Sequence, residues 1–155
     1  MITCTKKYTD LPFAHRQWKH PGHCSQIHGH NFTFVFEFWS YSKDRVGFTV
    51  DFGKLKWLKK WIDERFDHTC VLCEDDPLLE EFKKMGDGKA FNITEVPDAS
   101  CEGIAKYLFD NVSILLKHGN VLDKEDSHRN IKIRKIEVIE DGKNSATFTN
   151  PERLP

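Results

Sequence analysis

From Asn31 to Trp39 the chain reads Asn-Phe-Thr-Phe-Val-Phe-Glu-Phe-Trp, with Phe32, Phe34, Phe36 and Phe38 at every second position. Rings at period 2 fit a strand, whose successive side chains point to opposite faces, whereas a helix would scatter them around its circumference. One face of this strand is therefore heavily aromatic and must be buried. Val35 and Trp39 make the other face partly apolar as well, which predicts partial cover by a helix or another subunit.

Just before this run stands His28-Gly29-His30. In a strand starting at residue 28, these two histidines project from the same face. His15 lies thirteen residues upstream of His28, in Phe13-Ala14-His15, on what reads as the neighbouring antiparallel strand. Adjacent strands lie about 4.8 Å apart, so three imidazoles can converge on one ion. Three histidines leave the fourth position of a tetrahedral zinc open, the catalytic rather than the structural arrangement. Cys24 reads as an acid/base thiol beside that metal, or else as a fourth ligand closing the shell. The plainer reading of all three histidines is turn and strand residues facing water.

The rest of the chain predicts a single α+β domain over 1–155. Residues 2–15 read as a first strand, 16–27 as a loop around Pro21-Gly22, and 46–52 as a strand returning from the aromatic one. The period then changes: Leu55, Leu58, Ile62 and Phe66 mark an amphipathic helix over 53–66. A short helix is expected from Asp76-Pro77 to Met85, a turn at Asp87-Gly88 and a short strand at 90–93. Ser100 caps a longer helix that stops before Gly119. Residues 120–130 read as polar and mobile, followed by strands at 131–140 and 144–149 with a bulge near Arg134-Lys135.

Composition narrows the function classes. Lys and Arg total 23 against 24 Asp and Glu, with the signs interspersed, so no global field recruits nucleic acid or an anionic membrane. No apolar run reaches the roughly 18 residues of a membrane span, and no secretory leader is visible. Five cysteines are an odd number, which suits core thiols, metal ligands or nucleophiles in a reducing, cytoplasmic setting rather than a disulfide framework. Of these, Cys70-x-x-Cys73 is a weak zinc motif on its own, and Cys4 and Cys101 suit the core. Asp67-His68 follows a helix and offers an orienting carboxylate with a general acid/base, or merely ends the helix. Glu140 shares a face with Ile136 and Val138. Pointed inward it needs a partner, such as the adjacent N–H donors of an amino-pyrimidinone edge; the alternative is an exposed strand end. Arg16, Lys19 and Lys54 are candidate phosphate contacts.

Phe13-Ala14-His15, Cys24-x-x-x-His28-Gly29-His30-Asn31, Val50-Asp51-Phe52, Asp67-His68, Ser100-Cys101-Glu102 and Glu140 together resemble the family of 6-pyruvoyl- and 6-carboxy-tetrahydropterin synthases. The resemblance implies a tunnelling fold: a four-stranded antiparallel sheet with two main helices on one face, its subunits assembled into a barrel as a tetramer or hexamer. It implies a zinc-dependent lyase with zinc on His15, His28 and His30, Cys24 as base, and Asp67 and His68 completing a proton relay. Glu102 and Glu140 would anchor a pterin triphosphate, with Ser100 in the same motif, at sites between subunits. Three residues between Cys24 and His28 resemble the carboxy branch of queuosine biosynthesis, with the pyruvoyl enzyme or a non-catalytic pterin- or zinc-binding protein as alternatives. Two positions depart from the family pattern. Ala99 replaces a proline, and Asp141 follows Glu140 where threonine is usual, adding a negative charge near the expected ring edge.

Overall fold

The aromatic run forms the strand its alternation requires. In the computed structural model, which describes residues 1–86 and 88–150, β2 spans His28–Ser40. Phe32, Phe34, Phe36 and Phe38 are each fully buried. At roughly 1.5–3 kcal/mol for each large apolar side chain buried, these four rings are a main anchor of the core. β1 (Ile2–His15) pairs antiparallel with β2, and β5 (Lys132–Ile139) and β6 (Ser145–Thr149) continue the antiparallel part on its other side.

The expected four-stranded sheet is larger. β3 (Thr69–Cys73) and β4 (Asn92–Val96) add to the free edge of β1 in parallel, giving a mixed six-stranded sheet in the order β4-β3-β1-β2-β5-β6. All five residues of β3 are buried, so its sequence carries no alternation to mark it as a strand. The strand expected at 90–93 sits a little later, as β4. Asp87 of the expected turn and residues 151–155 of the expected domain lie outside the described residues.

The expected strand over 46–52 is absent. That segment is a series of turns held by side chains: Asp44 Oδ1 accepts from the N–H groups of Val46 and Phe48, and Arg129 Nη1 donates to the carbonyls of Phe48 and Thr49. Its alternation misleads because Val46, Phe48 and Phe52 are exposed while Val50 is buried. Residues 120–130, expected to be mobile, contain the short helix α4 (Lys124–Ser127) and the buried Asp126, which pairs with Arg129 and Lys54.

The helices expected from the periods over 53–66 and from Ser100 onward form. The one expected from Asp76-Pro77 starts only at Leu79: Asp76 Oδ1 accepts from Leu78 N–H in a turn ahead of it, and no side chain caps the helix. Asp51 caps a 3₁₀ turn at Phe52–Leu55 that runs into α1 (Lys56–Phe66), α2 spans Leu79–Met85, and Ser100 caps α3 (Cys101–His118) through a 3.0 Å bond from Gly103 N–H. Leu58, Ile62 and Phe66 of α1 and Ile104, Leu108 and Val112 of α3 join the phenylalanines of β2 in one buried cluster. On the opposite face the Trp39 ring meets the Tyr41 ring edge to face and has Lys132 Nζ 5.8 Å from its centroid, and Glu37 pairs with Arg134 and Lys135.

Two bulges decide which side chains reach the helix-covered face. In β1, Tyr8 faces Phe34 but Leu11 faces Phe32, so Thr9 and Asp10 share the place of one residue, with Asp10 at φ 57°. Even-numbered Tyr8 and odd-numbered Phe13 and His15 thereby point to the same side. In β5 the extra residue falls at the expected place, Ile136 facing Phe36 and Ile133 facing Phe38. This turns Ile133, Ile136 and Val138 all into the core, and Glu140 follows their direction.

Candidate metal and pterin site

At the end of β1 and β2, His15 faces His28 and Phe13 faces His30 in the strand register. The Phe13 and Phe32 rings stack at 3.8 Å beneath them, and the Phe32 ring meets both His15 and His30 edge to face. The histidines thus stand on a rigid aromatic floor. The Nδ1 of His15 lies 2.8 Å from the Ala99 carbonyl and that of His28 lies 2.8 Å from the Gln26 carbonyl. A carbonyl only accepts, so each Nδ1 carries the proton and the Nε2 lone pair is left for a metal. The Nε2 atoms of His15 and His30 are buried and have no hydrogen-bond partner. Among the described residues, ligand atoms of His15, His28, His30 and Glu140 lie within 4.8 Å of one another. Buried, unpartnered nitrogen donors beside one carboxylate fit a zinc-type ion. Burial also holds the His15 pKa below its usual range, despite the opposing Ala99 bond, which favours the neutral ligand form.

Ala99 is held from both sides. Its carbonyl takes the His15 proton while its N–H points to the Cys73 sulfur at 3.4 Å. That accounts for half of the Cys70-x-x-Cys73 motif; Cys70 packs with Leu72, Leu79 and Phe82 instead. Burial raises both thiols, Cys70 to about 11, so they behave as neutral core groups. Gly103 lies where no side chain fits, since a Cβ there would come within 2.4 Å of the Asp98 Cβ and carbonyl. Gly103→Ala is expected to displace the 97–100 segment and destabilise the fold by about 1–3 kcal/mol. An unchanged urea midpoint would show that the α3 start is not fixed by this contact.

A cavity of about 400 Å³ opens beside the histidines and is bordered by His15, His28, Cys24, Ser100, Glu102 and Glu140. Six of the nine expected site residues therefore meet in one space. His30 borders a second hollow with His68, and His68 Nδ1 lies 2.7 Å from Asp67 Oδ1. That pair is formed as expected but is exposed, and it does not share the Cys24 cavity. Cys24 is not part of the four-residue donor group, so the closed-shell reading in which its thiol is the fourth ligand does not describe this structure.

The Ser100 hydroxyl caps α3 as expected, and Glu102 stands in its first turn, where the helix dipole favours a carboxylate. Other side chains have duties that the sequence did not reveal. Asp141 accepts from the N–H groups of Lys143 and Asn144 and from the Asn144 side-chain amide. These bonds hold its carboxyl below the usual range, so the extra charge beside Glu140 serves the β5–β6 turn. Cys101, half-buried near Glu140 and Glu102, is pushed up to about 12 and stays a neutral thiol. The three candidate phosphate contacts are already paired: Arg16 with Asp76, Lys19 with Asp75, and Lys54 with Asp123 and Asp126. Gln17 was not foreseen. It borders the cavity, its N–H donates to the Cys24 carbonyl, and its side chain donates to Asp98. The Ala99 carbonyl was also invisible, because a backbone acceptor has no residue signature.

The family profile described as 6-pyruvoyl tetrahydropterin synthase matches residues 3–151. The chain belongs to this family. Relatives in it include a Rickettsia typhi protein named 6-carboxy-5,6,7,8-tetrahydropterin synthase, 39% identical over 114 residues that cover 72% of this chain and 80% of that one. A Rickettsia conorii protein of the same name is 32% identical over the same shares. Among solved structures, an uncharacterized protein from Wolinella succinogenes superimposes with a TM-score of 0.75 at 21% identity, covering 96% of this chain and 98% of that one. The Plasmodium falciparum 6-pyruvoyl tetrahydropterin synthase gives 0.64 at 20% identity, with the same coverage. The family's tunnelling fold is therefore the fold of this chain, in an α+β form with six strands. No helix among the described residues is long and apolar enough to cross a membrane.

Proposed function

We propose that the protein is a 6-carboxy-5,6,7,8-tetrahydropterin synthase, a zinc-dependent lyase that converts 7,8-dihydroneopterin triphosphate to 6-carboxy-tetrahydropterin, acetaldehyde and triphosphate for queuosine biosynthesis. The observation that carries it is the four-residue donor group, three of whose members border a cavity shared with Cys24 and Glu102. The Rickettsia relatives' names support the carboxy branch.

His15, His28 and His30 hold the zinc, which supplies Lewis-acid polarisation of the substrate's side-chain oxygens. Glu102 accepts the adjacent N–H donors of the pterin edge and Ser100 fixes the helix start that presents it, with Glu140 facing the same space. Cys24 Sγ takes and returns protons at the substrate side chain. His68, oriented by Asp67, carries the second proton position. Since Cys24 and His68 border different hollows within one chain, the pair is completed between two subunits of a homo-oligomer, a tetramer or hexamer, in the cytoplasm.

The decisive assay incubates the zinc-loaded protein with 7,8-dihydroneopterin triphosphate and follows acetaldehyde with a coupled alcohol dehydrogenase. Stoichiometric acetaldehyde is expected. A pyruvoyl product alone transfers the protein to the sister activity, and binding without turnover makes it a non-catalytic pterin binder. Mixing a Cys24→Ala chain with a His68→Ala chain should restore part of the activity missing from either alone. No recovery after subunit exchange would place both groups in the same subunit's site.

A further inference from the structure

Glu140 stands in an unexpected relation to the histidines. Its Oε1 lies 3.3 Å from His15 Nε2 and 3.3 Å from His30 Nε2, yet neither nitrogen makes a hydrogen bond. For His15 the reason is on the same ring: Nδ1 gives its proton to the Ala99 carbonyl, so a neutral Nε2 presents a lone pair to the carboxylate. A lone pair facing an anion at this distance repels unless a cation lies between them. Two ligand atoms bound at about 2.0–2.1 Å to a tetrahedral ion are themselves about 3.3–3.4 Å apart. Both measured separations have that value.

We propose that Glu140 is the fourth metal ligand of the substrate-free protein, so that the resting site is a closed His₃Glu shell rather than three histidines with an open position. The inference rests on the three-histidine reading above and deepens it. Glu102 is then the carboxylate free to receive the pterin edge, and Glu140 would occupy the position that a three-histidine site leaves open to the substrate's oxygens. The β5–β6 turn that bears Glu140 is braced for this post: Glu140 N–H donates to the Asn144 carbonyl, and Asp141 holds the turn's amides.

The test measures zinc affinity by chelator competition and the visible spectrum of the cobalt(II)-loaded full chain, without substrate. Glu140→Gln, nearly isosteric, is expected to weaken zinc binding by about 10-fold or more and to change the cobalt spectrum. Glu140→Asp should weaken it similarly, because the shortened carboxylate withdraws from the ion while keeping its charge. Wild-type affinity and spectrum in Glu140→Gln overturn the proposal. Wild-type affinity in Glu140→Asp alone also overturns it, since charge attraction then suffices. His28→Ala serves as the control for the underlying reading: unchanged zinc affinity there sinks the three-histidine site itself. A loss in His28→Ala with none in Glu140→Gln removes only the fourth ligand.

Discussion

Cys24→Ala is expected to lower kcat by roughly 10²–10⁴-fold, the usual contribution of a positioned acid/base group, while zinc content stays at the wild-type level. The two halves of this result have separate causes. Cys24 borders the cavity beside His15 and His28, where a substrate side chain would lie. It is outside the group of donors that converge on the metal position, so its removal takes away a proton acceptor and no ligand. Metal analysis and single-turnover product formation on the same preparation check both halves. Loss of zinc would make Cys24 a ligand; near-normal turnover would remove it from the chemistry.

Arg16→Ala is expected to cost about 3–5 kcal/mol of stability, because it strands a buried carboxylate. Asp76 has no exposed side-chain surface, and Arg16 meets it with a two-pronged contact at 2.7 and 3.2 Å. The guanidinium also lies 5.4 Å from the Phe82 ring centroid, packing α2 onto the end of β1. Arg16→Lys keeps the charge but not the planar fork, so most of the loss should persist. Urea unfolding followed by circular dichroism measures the difference. A loss below about 1 kcal/mol would mean that Asp76 finds water in the variant and that the pair is worth no more than a surface contact. Because Arg16 directly follows His15, the variant should also weaken zinc binding.

Glu140 shows how far inward-pointing residues can be read from alternation alone. Sharing a face with Ile136 and Val138 placed it on the covered side of the sheet, and it is there. Alternation gives no partner for it; the structure adds two histidine nitrogens within 3.3 Å of its oxygen. Periodicity encodes a direction and not a neighbour.

The strand β2, its aromatic face, His28 beside His30, the apolar period of α1 and the cap of α3 were determined by sequence alone, since each depends on residues a few positions apart. β3 escaped because both its faces are buried, and 46–52 misled because turn bonds from Asp44 and Arg129 outweigh an alternating pattern. What only the tertiary structure decided is the meeting of distant groups: the Thr9–Asp10 bulge that turns His15 toward His28, the Ala99 carbonyl that orients it, and the turn that brings in Glu140. These depend on strand pairing and backbone carbonyls far apart in the chain, and a side-chain pattern carries neither.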